Sequence, residues 1–328
     1  MSALDPNSLS EFDLIARFFS PPATAGVVGV GDDCGILSIR PGHQLAVSTD
    51  TLIEGRHFFS DADPTAVGHK ALAVNLSDLA ATGALPRACL LSLSLPQVDT
   101  SWLELFSRGF LELAQHHHCL LIGGDTTRSH RNIIIGVTVL GEVPAGQALL
   151  RSGAQPNDDI WVTGALGAPH MALQLRLGHW QAPQAVEHAA MSRLLWPNPP
   201  VRWAAQLLGH AHAAIDISDG LLQDLQHILT ASRVGARLYA ADIPQHSALA
   251  ALSADQRLEA LLAGGDEFEL CFTAPASQRA YILERAAQFQ IAVHRIGVVT
   301  AEPQTQVFDF DGQLLSRPLS GYDHFNRS

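Results

Sequence analysis

GEVPAGQALLRSGAQPNDD, residues 141–159, is the stretch whose reading decides the fold. It follows a long apolar run, NIIIGVTVLGEV, and precedes a second one, DIWVTG, yet is itself rich in Gly, Pro and polar side chains. Such a change of texture marks an exposed linker between separately cored bodies. At 328 residues the chain exceeds what one core usually supports. Two domains are therefore expected, over residues 1–148 and 149–328.

Working back from the linker, β-type runs stand at QLAVST, ACLLSLSL, CLLIGG and NIIIGVTVLGEV. Helical patterns alternate with them at PTAVGHKALAVNLSDLAATGA and SWLELFSRGFLELAQHHH. Ser10 is a natural cap for a further helix, EFDLIARFF, which the prolines at 21 and 22 stop. Working forward, DIWVTG, AAIDIS, ARLYA, EFELCFT, HRIGVV and QVFDF read as strands. Helices are expected over 170–208, broken at WPNPP, over 219–232, and near Leu258 and Ala280. Interleaving of this kind predicts mixed α and β layers.

With 47% hydrophobic and 16% charged residues, the chain is a cored globular protein. Its net charge of −12 argues against a nucleic-acid partner, because no basic stripe is present to replace phosphate counterions. Phosphates would have to be approached through metal ions. The four cysteines form no CxxC pair, which points away from a disulfide framework or a zinc site and toward a reducing cytoplasm. No apolar run is long enough for a membrane span, so a soluble, unprocessed protein is expected.

Five segments share one design: GVGDD, AVSTDT, LIGGDTTRS, AIDISDG and LAGGDEFEL each carry carboxylates, most beside small hydroxyl residues, in a turn that in four of them ends a β-type run. One Gly-Asp turn is ordinary loop chemistry. Five of them suggest a site. A sixth acid, Asp78, lies in a helical pattern with Asn75 and Thr82 at i, i+3 and i+7, a stripe that is either solvated or turned toward a polar site. If Asp33, Asp50, Asp78, Asp125, Asp216 and Asp219 converge, their repulsion calls for hard cations, and Mg2+ suits carboxylates together with substrate phosphate oxygens.

Lys70 is the only lysine, so neither a Walker A loop nor a protein-kinase lysine can be assembled; Lys70 itself reads as a solvated surface group. Arg151 is either a phosphate ligand or a linker arginine. Ser218 or Asp219 is a natural cap for the following helix, whose N-terminus offers N–H groups to an anion; capping does not account for Asp216. His116, His117 and His118 read as a surface helix end, and His57 is either a ligand contact or a packed core residue.

GVGDD, STDTLIEGRHF, KALAVNLSDLAATGA, LIGGDTT, RSGAQPND, DISDGL, GGDEFELCFT and GYDHF together resemble the thiamine-monophosphate kinase family, nearly end to end. GDD and GGD are shared with the wider aminoimidazole ribonucleotide synthetase superfamily. The resemblance implies an α+β N-terminal domain that pairs with its copy in a homodimer, followed by an α/β C-terminal domain that completes the nucleotide and substrate site. It implies direct, Mg-assisted phosphoryl transfer from ATP to thiamine monophosphate in the cytoplasm, with no general base. Carried over by motif, Asp33, Ser48, Thr49, Asp50, Asp78, Asp125, Asp216 and Asp219 would hold several Mg2+ ions. Gly124, Asp125, Arg151 and Ser218 would contact ATP, and His57, Asp266 and Tyr322 the thiamine phosphate. The family's usual GGEDYE is GGDEFE here, which bears on the contact at Asp266. The competing readings are another ATP-using synthetase of the superfamily and a non-catalytic nucleotide- or metal-binding homologue.

Overall fold

Ser10 caps the first helix, α1 (Glu11–Phe18), through a reciprocal box: Asp13 N–H donates to its hydroxyl, and its own N–H donates to the Asp13 carboxylate at 2.9 Å. This computed structural model describes residues 10–21 and 26–316, so Tyr322 and the rest of GYDHF lie outside the described residues. The chain divides into two units, residues 1–79 with 84–146, and residues 80–83 with 147–328.

The first unit carries a four-stranded sheet in the order β1-β4-β2-β3, formed by β1 (His43–Ile53), β2 (Leu85–Leu95), β3 (Leu120–Arg128) and β4 (Ile134–Pro144). β4 runs antiparallel to both its neighbours; β2 and β3 are parallel, joined through α3 (Thr100–His116). One row across the sheet joins Asp50, Val137, Leu91 and Gly124, the next Thr51, Gly136, Ser92 and Asp125. Val137 and Leu91 are buried and Thr51, Ser92 and Asp125 exposed, so successive rows face a covered and an open side.

The helix α2 (Pro64–Ala81) is buried on nearly every side, with Asp78 among its few part-exposed residues. Its surroundings correct the reading of Lys70, which is 3% exposed and donates from Nζ to the His57 carbonyl at 3.4 Å. α2 and α3 meet backbone to backbone: a Cβ on Gly68 would stand 2.1 Å from the Phe106 carbonyl oxygen, and one on Gly109 would stand 1.9 Å from that of Thr65. Below this crossing Phe106 and Phe110 are fully buried, each contributing about 1.5–3 kcal/mol.

In the second unit six strands follow the order β10-β7-β9-β5-β8-β6. They are β5 (Asp158–Thr163), β6 (Ala213–Asp216), β7 (Gly235–Tyr239), β8 (Leu270–Pro275), β9 (Val293–Thr300) and β10 (Thr305–Phe308). Only β10 and β7 pair in parallel. The helical reading over 170–208 resolves into α4 (Ala168–Arg176), α5 (Gln184–Leu195) and the short α6 (Val201–Ala204), after which α7 (Leu221–Ser232), α8 (Ala254–Leu262) and α9 (Arg279–Phe289) follow. Strand β8 begins at Leu270, later than EFELCFT suggested, because Asp266 and Phe268 adopt left-handed backbone at φ 63° and 51°. No helix among the described residues is long and apolar enough to cross a membrane.

Candidate functional site

Alternation along β1 turns Ser48 and Asp50 to the covered side of the first sheet, where they meet α2. The Ser48 hydroxyl donates to the Asp78 carboxylate, and the Asp50 amide donates to Asn75 Oδ1 at 3.0 Å. Asn75 is in turn fixed by donating to the Ala71 carbonyl at 3.1 Å. Burial, and then the charge of Asp78, push the Asp50 carboxyl up to about 6. The stripe of Asn75 and Asp78 thus faces a polar site. Its donors are all oxygens, the type a hard divalent cation takes, and two crowded carboxylates favour such an ion.

Other candidate residues of this unit stand elsewhere. Thr49 lies on the open side, donating to the Val137 carbonyl and accepting from Thr138, each at 3.0 Å. Asp125 shares that open side and is exposed, about 14 Å from β1 across three strand spacings. Before it, Gly124 sits at φ 153°, and a Cβ there would meet the Leu91 carbonyl oxygen at 1.9 Å. Asp33 is exposed on a loop that lies against β3, where a Cβ on Gly35 would touch Ile122 at 2.9 Å. Among the described residues no three His, Cys, Asp or Glu side chains close on one point to hold a metal. His57 is half-buried, and its Nδ1 accepts from the Ile53 amide at 2.9 Å, tying off the end of β1. His117 is buried, while His116 and His118 are exposed.

In the second unit DISDG and GGDEFE lie side by side. Past the last ladder pair of β6 and β8, the Ile217 amide donates to the Glu269 carbonyl, the Phe268 amide to that of Ile217, and the Asp266 amide to that of Ser218, each at 2.8 Å. Gly265 is required by this approach, since a Cβ there would stand 2.4 Å from the Ser218 oxygen. Asp216, Ser218, Asp219 and Asp266 are thereby brought onto adjoining turns. Arg151 is exposed on a loop anchored nearby, where the Ala214 amide donates to the Leu150 carbonyl at 3.1 Å.

Neither Ser218 nor Asp219 caps α7; Gly220 holds that place without a side-chain bond. The amides of Ser218, Asp219 and Gly220 all donate to one oxygen of Asp224, at 3.0, 3.0 and 3.1 Å. Three N–H groups expected to await an anion are therefore gathered by the protein's own carboxylate. Burial pushes Asp224 up to about 7 against their pull. Sequence reasoning missed Asp224, although an acid in the first turn after DISDG was a visible signal. It also missed His170, whose Nε2 lies 3.3 Å from Glu259 and whose ring meets Trp180 edge-on at 5.4 Å. Burial lowers its pKa, while the nearby charges of Glu259 and Asp266 oppose that shift.

Known proteins match nearly the whole chain. The family model AIR synthase related protein, N-terminal domain, matches residues 31–143, and AIR synthase related protein, C-terminal domain, matches residues 155–310. Thiamine-monophosphate kinase of Escherichia coli K12 is 42% identical over 320 residues, covering 96% of this chain and 98% of its own. The crystal structure of thiamine-monophosphate kinase from Stenotrophomonas maltophilia K279a superposes with a TM-score of 0.81 at 42% identity, over 88% of this chain and 92% of the other. AaThiL complexed with AMPPCP and TMP gives 0.74 at 30% identity, over 88% and 89%.

Proposed function

The chain belongs to the thiamine-monophosphate kinases of the AIR synthase related family, and from that premise we propose that it makes thiamine diphosphate by phosphorylating thiamine monophosphate with ATP. The observation that carries this reading is 42% identity over 96% of the chain, which takes in both units. The relative that holds AMPPCP together with TMP supports the pair of substrates.

The finer reading assigns residues. Asp33, Ser48, Thr49, Asp50, Asp78, Asp125, Asp216 and Asp219 would hold Mg2+ ions, with the oxygen-only group of Ser48, Asp50 and Asp78 as support. Bound there, Mg2+ supplies charge that offsets repulsion between two phosphate groups. Gly124, Asp125, Arg151 and Ser218 would contact ATP, and His57, Asp266 and Tyr322 the acceptor. The acceptor is already an oxyanion, so the chain's task is to align two anions, and no general base is needed. Four cysteines that form no disulfide agree with a cytoplasmic setting.

Incubation with ATP, Mg2+ and thiamine monophosphate is expected to yield thiamine diphosphate, and exhaustive chelation to stop it. Full turnover after chelation would remove the metal assignment; transfer to a different acceptor would remove the substrate.

The open side of the first sheet supports a homodimer through the N-terminal unit. Leu45, Val47, Ile53 and Ile134 are exposed there at 44, 58, 37 and 36%. Exposed aliphatic side chains along a sheet face are a feature of protein–protein interfaces. Val47→Asp is expected to shift the sedimentation coefficient from dimer to monomer, and a wild-type protein that sediments as a monomer would sink the assignment.

A further inference from the structure

Glu267 is 2% exposed, yet only one of its oxygens has a partner. Its Oε1 accepts the amide hydrogen of Gly167, the residue before α4, at 2.5 Å, while Oε2 is buried without a hydrogen bond. Beside it is Glu269, which accepts from Thr163 at 2.5 Å and from Arg193 at 2.8 Å. Burial pushes both carboxyls up, and of the two only Glu269 bonds to Arg193. A charged, one-sided carboxylate is costly in such a place, and a neutral acid is tolerated.

The position of Glu267 in the chain gives this buried group its meaning. It lies between the two left-handed residues Asp266 and Phe268, whose amides are both spent on the turn of Ile217 and Ser218. Left-handed backbone costs about 1–3 kcal/mol at a non-glycine residue and persists only where its surroundings hold it. Two amide bonds pin one side of the turn, and the Glu267 side chain pins the other to α4. Within the first turn of α4 comes His170, beside Asp266 and against Gly264, where a Cβ would stand 2.6 Å from its own.

We propose that Glu267 is a positioning residue for the phosphate acceptor: it clamps the turn of residues 265–268 to the start of α4 and so fixes the direction in which Asp266 is presented. The nucleotide side has its own organiser in Asp224, which gathers residues 218–220 without help from Glu267. The inference rests on the reading of Asp266 as an acceptor contact.

Steady-state constants for both substrates test it, with thermal unfolding measured alongside. Glu267→Asp, one methylene short of Gly167, is expected to raise KM for thiamine monophosphate about 10-fold and to move KM for ATP less than about twofold. Glu267→Gln keeps an oxygen for Gly167 on a side chain of the same length, and is expected to hold the acceptor KM within about threefold. A Glu267→Asp enzyme with an unchanged acceptor KM, or with both constants raised alike, overturns the proposal. So does a Glu267→Gln enzyme that loses acceptor affinity as Glu267→Asp does, and this arm decides the matter if the aspartate variant fails to fold. Asp266→Asn separates the underlying reading: if it leaves the acceptor KM unchanged while Glu267→Asp raises it, the clamp stands and Asp266 is removed as the contact.

Discussion

Asp50→Asn is expected to lower turnover about 1000-fold at saturating ATP, thiamine monophosphate and Mg2+, the rate equivalent of several kcal/mol of lost charge stabilisation. The same substitution should leave the metal-free protein at least as stable as wild type near neutral pH. The reasoning is electrostatic: with Asp50 raised to about 6 by burial and by Asp78, the folded state binds a proton that the unfolded state has released between the ordinary aspartate range and about 6. Stability of the chelated wild type is therefore full below about pH 4 as far as this group is concerned, and falls as pH rises toward 6. Asp50→Asn removes that slope. Denaturant melts in chelator at three pH values would show it, and an Asp50→Asn protein that keeps the slope, or turns over at the wild-type rate, would count against the pairing with Asp78.

Gly109→Ala is expected to cost about 3 kcal/mol or more, near the upper end for an overpacked core. The added methyl would meet backbone, with the Thr65 oxygen at 1.9 Å and its carbonyl carbon at 2.8 Å, so no side-chain rotation relieves it. For a unit of this size that corresponds to a Tm lower by roughly 6–12 °C. Gly136→Ala is the control, because its nearest neighbour would be 3.5 Å away and its cost should stay within about 1 kcal/mol. Equal losses from the two substitutions would remove the close helix crossing as the cause.

Much of this was legible in the sequence for definite physical reasons. The strands betrayed themselves by β-branched runs between turn residues. Asn75 and Asp78 were readable as one stripe because helical spacing fixes which residues share a side. Lys70 was misread because spacing does not say how many sides a helix buries; α2 is covered almost all round, and the His57 carbonyl receives the ammonium. The start of β8 was misplaced since alternating apolar residues in EFELCFT mask two left-handed positions. Asp224 escaped notice because its partners are backbone amides, although its place in the first turn after DISDG hinted at them. The two sides of the first sheet separate Thr49 and Asp125 from Asp50, a division that follows from register and that short motifs do not encode.

The order of strands in that sheet also sets a timetable for the newborn chain. β2, β3 and β4 find their partners among themselves, whereas β1 pairs only with β4: His43 with Pro144 and Ile53 with Ile134. At about 5–20 residues per second of synthesis, β1 leaves the ribosome several seconds before its partner exists. Closing so long a loop is the slow, late event of folding. Ser48 and Asp50 arrive with β1, while Asp78 waits on α2. The acid pair is thus assembled by the last strand to dock, and a nascent or truncated chain lacking β4 has no place to gather it.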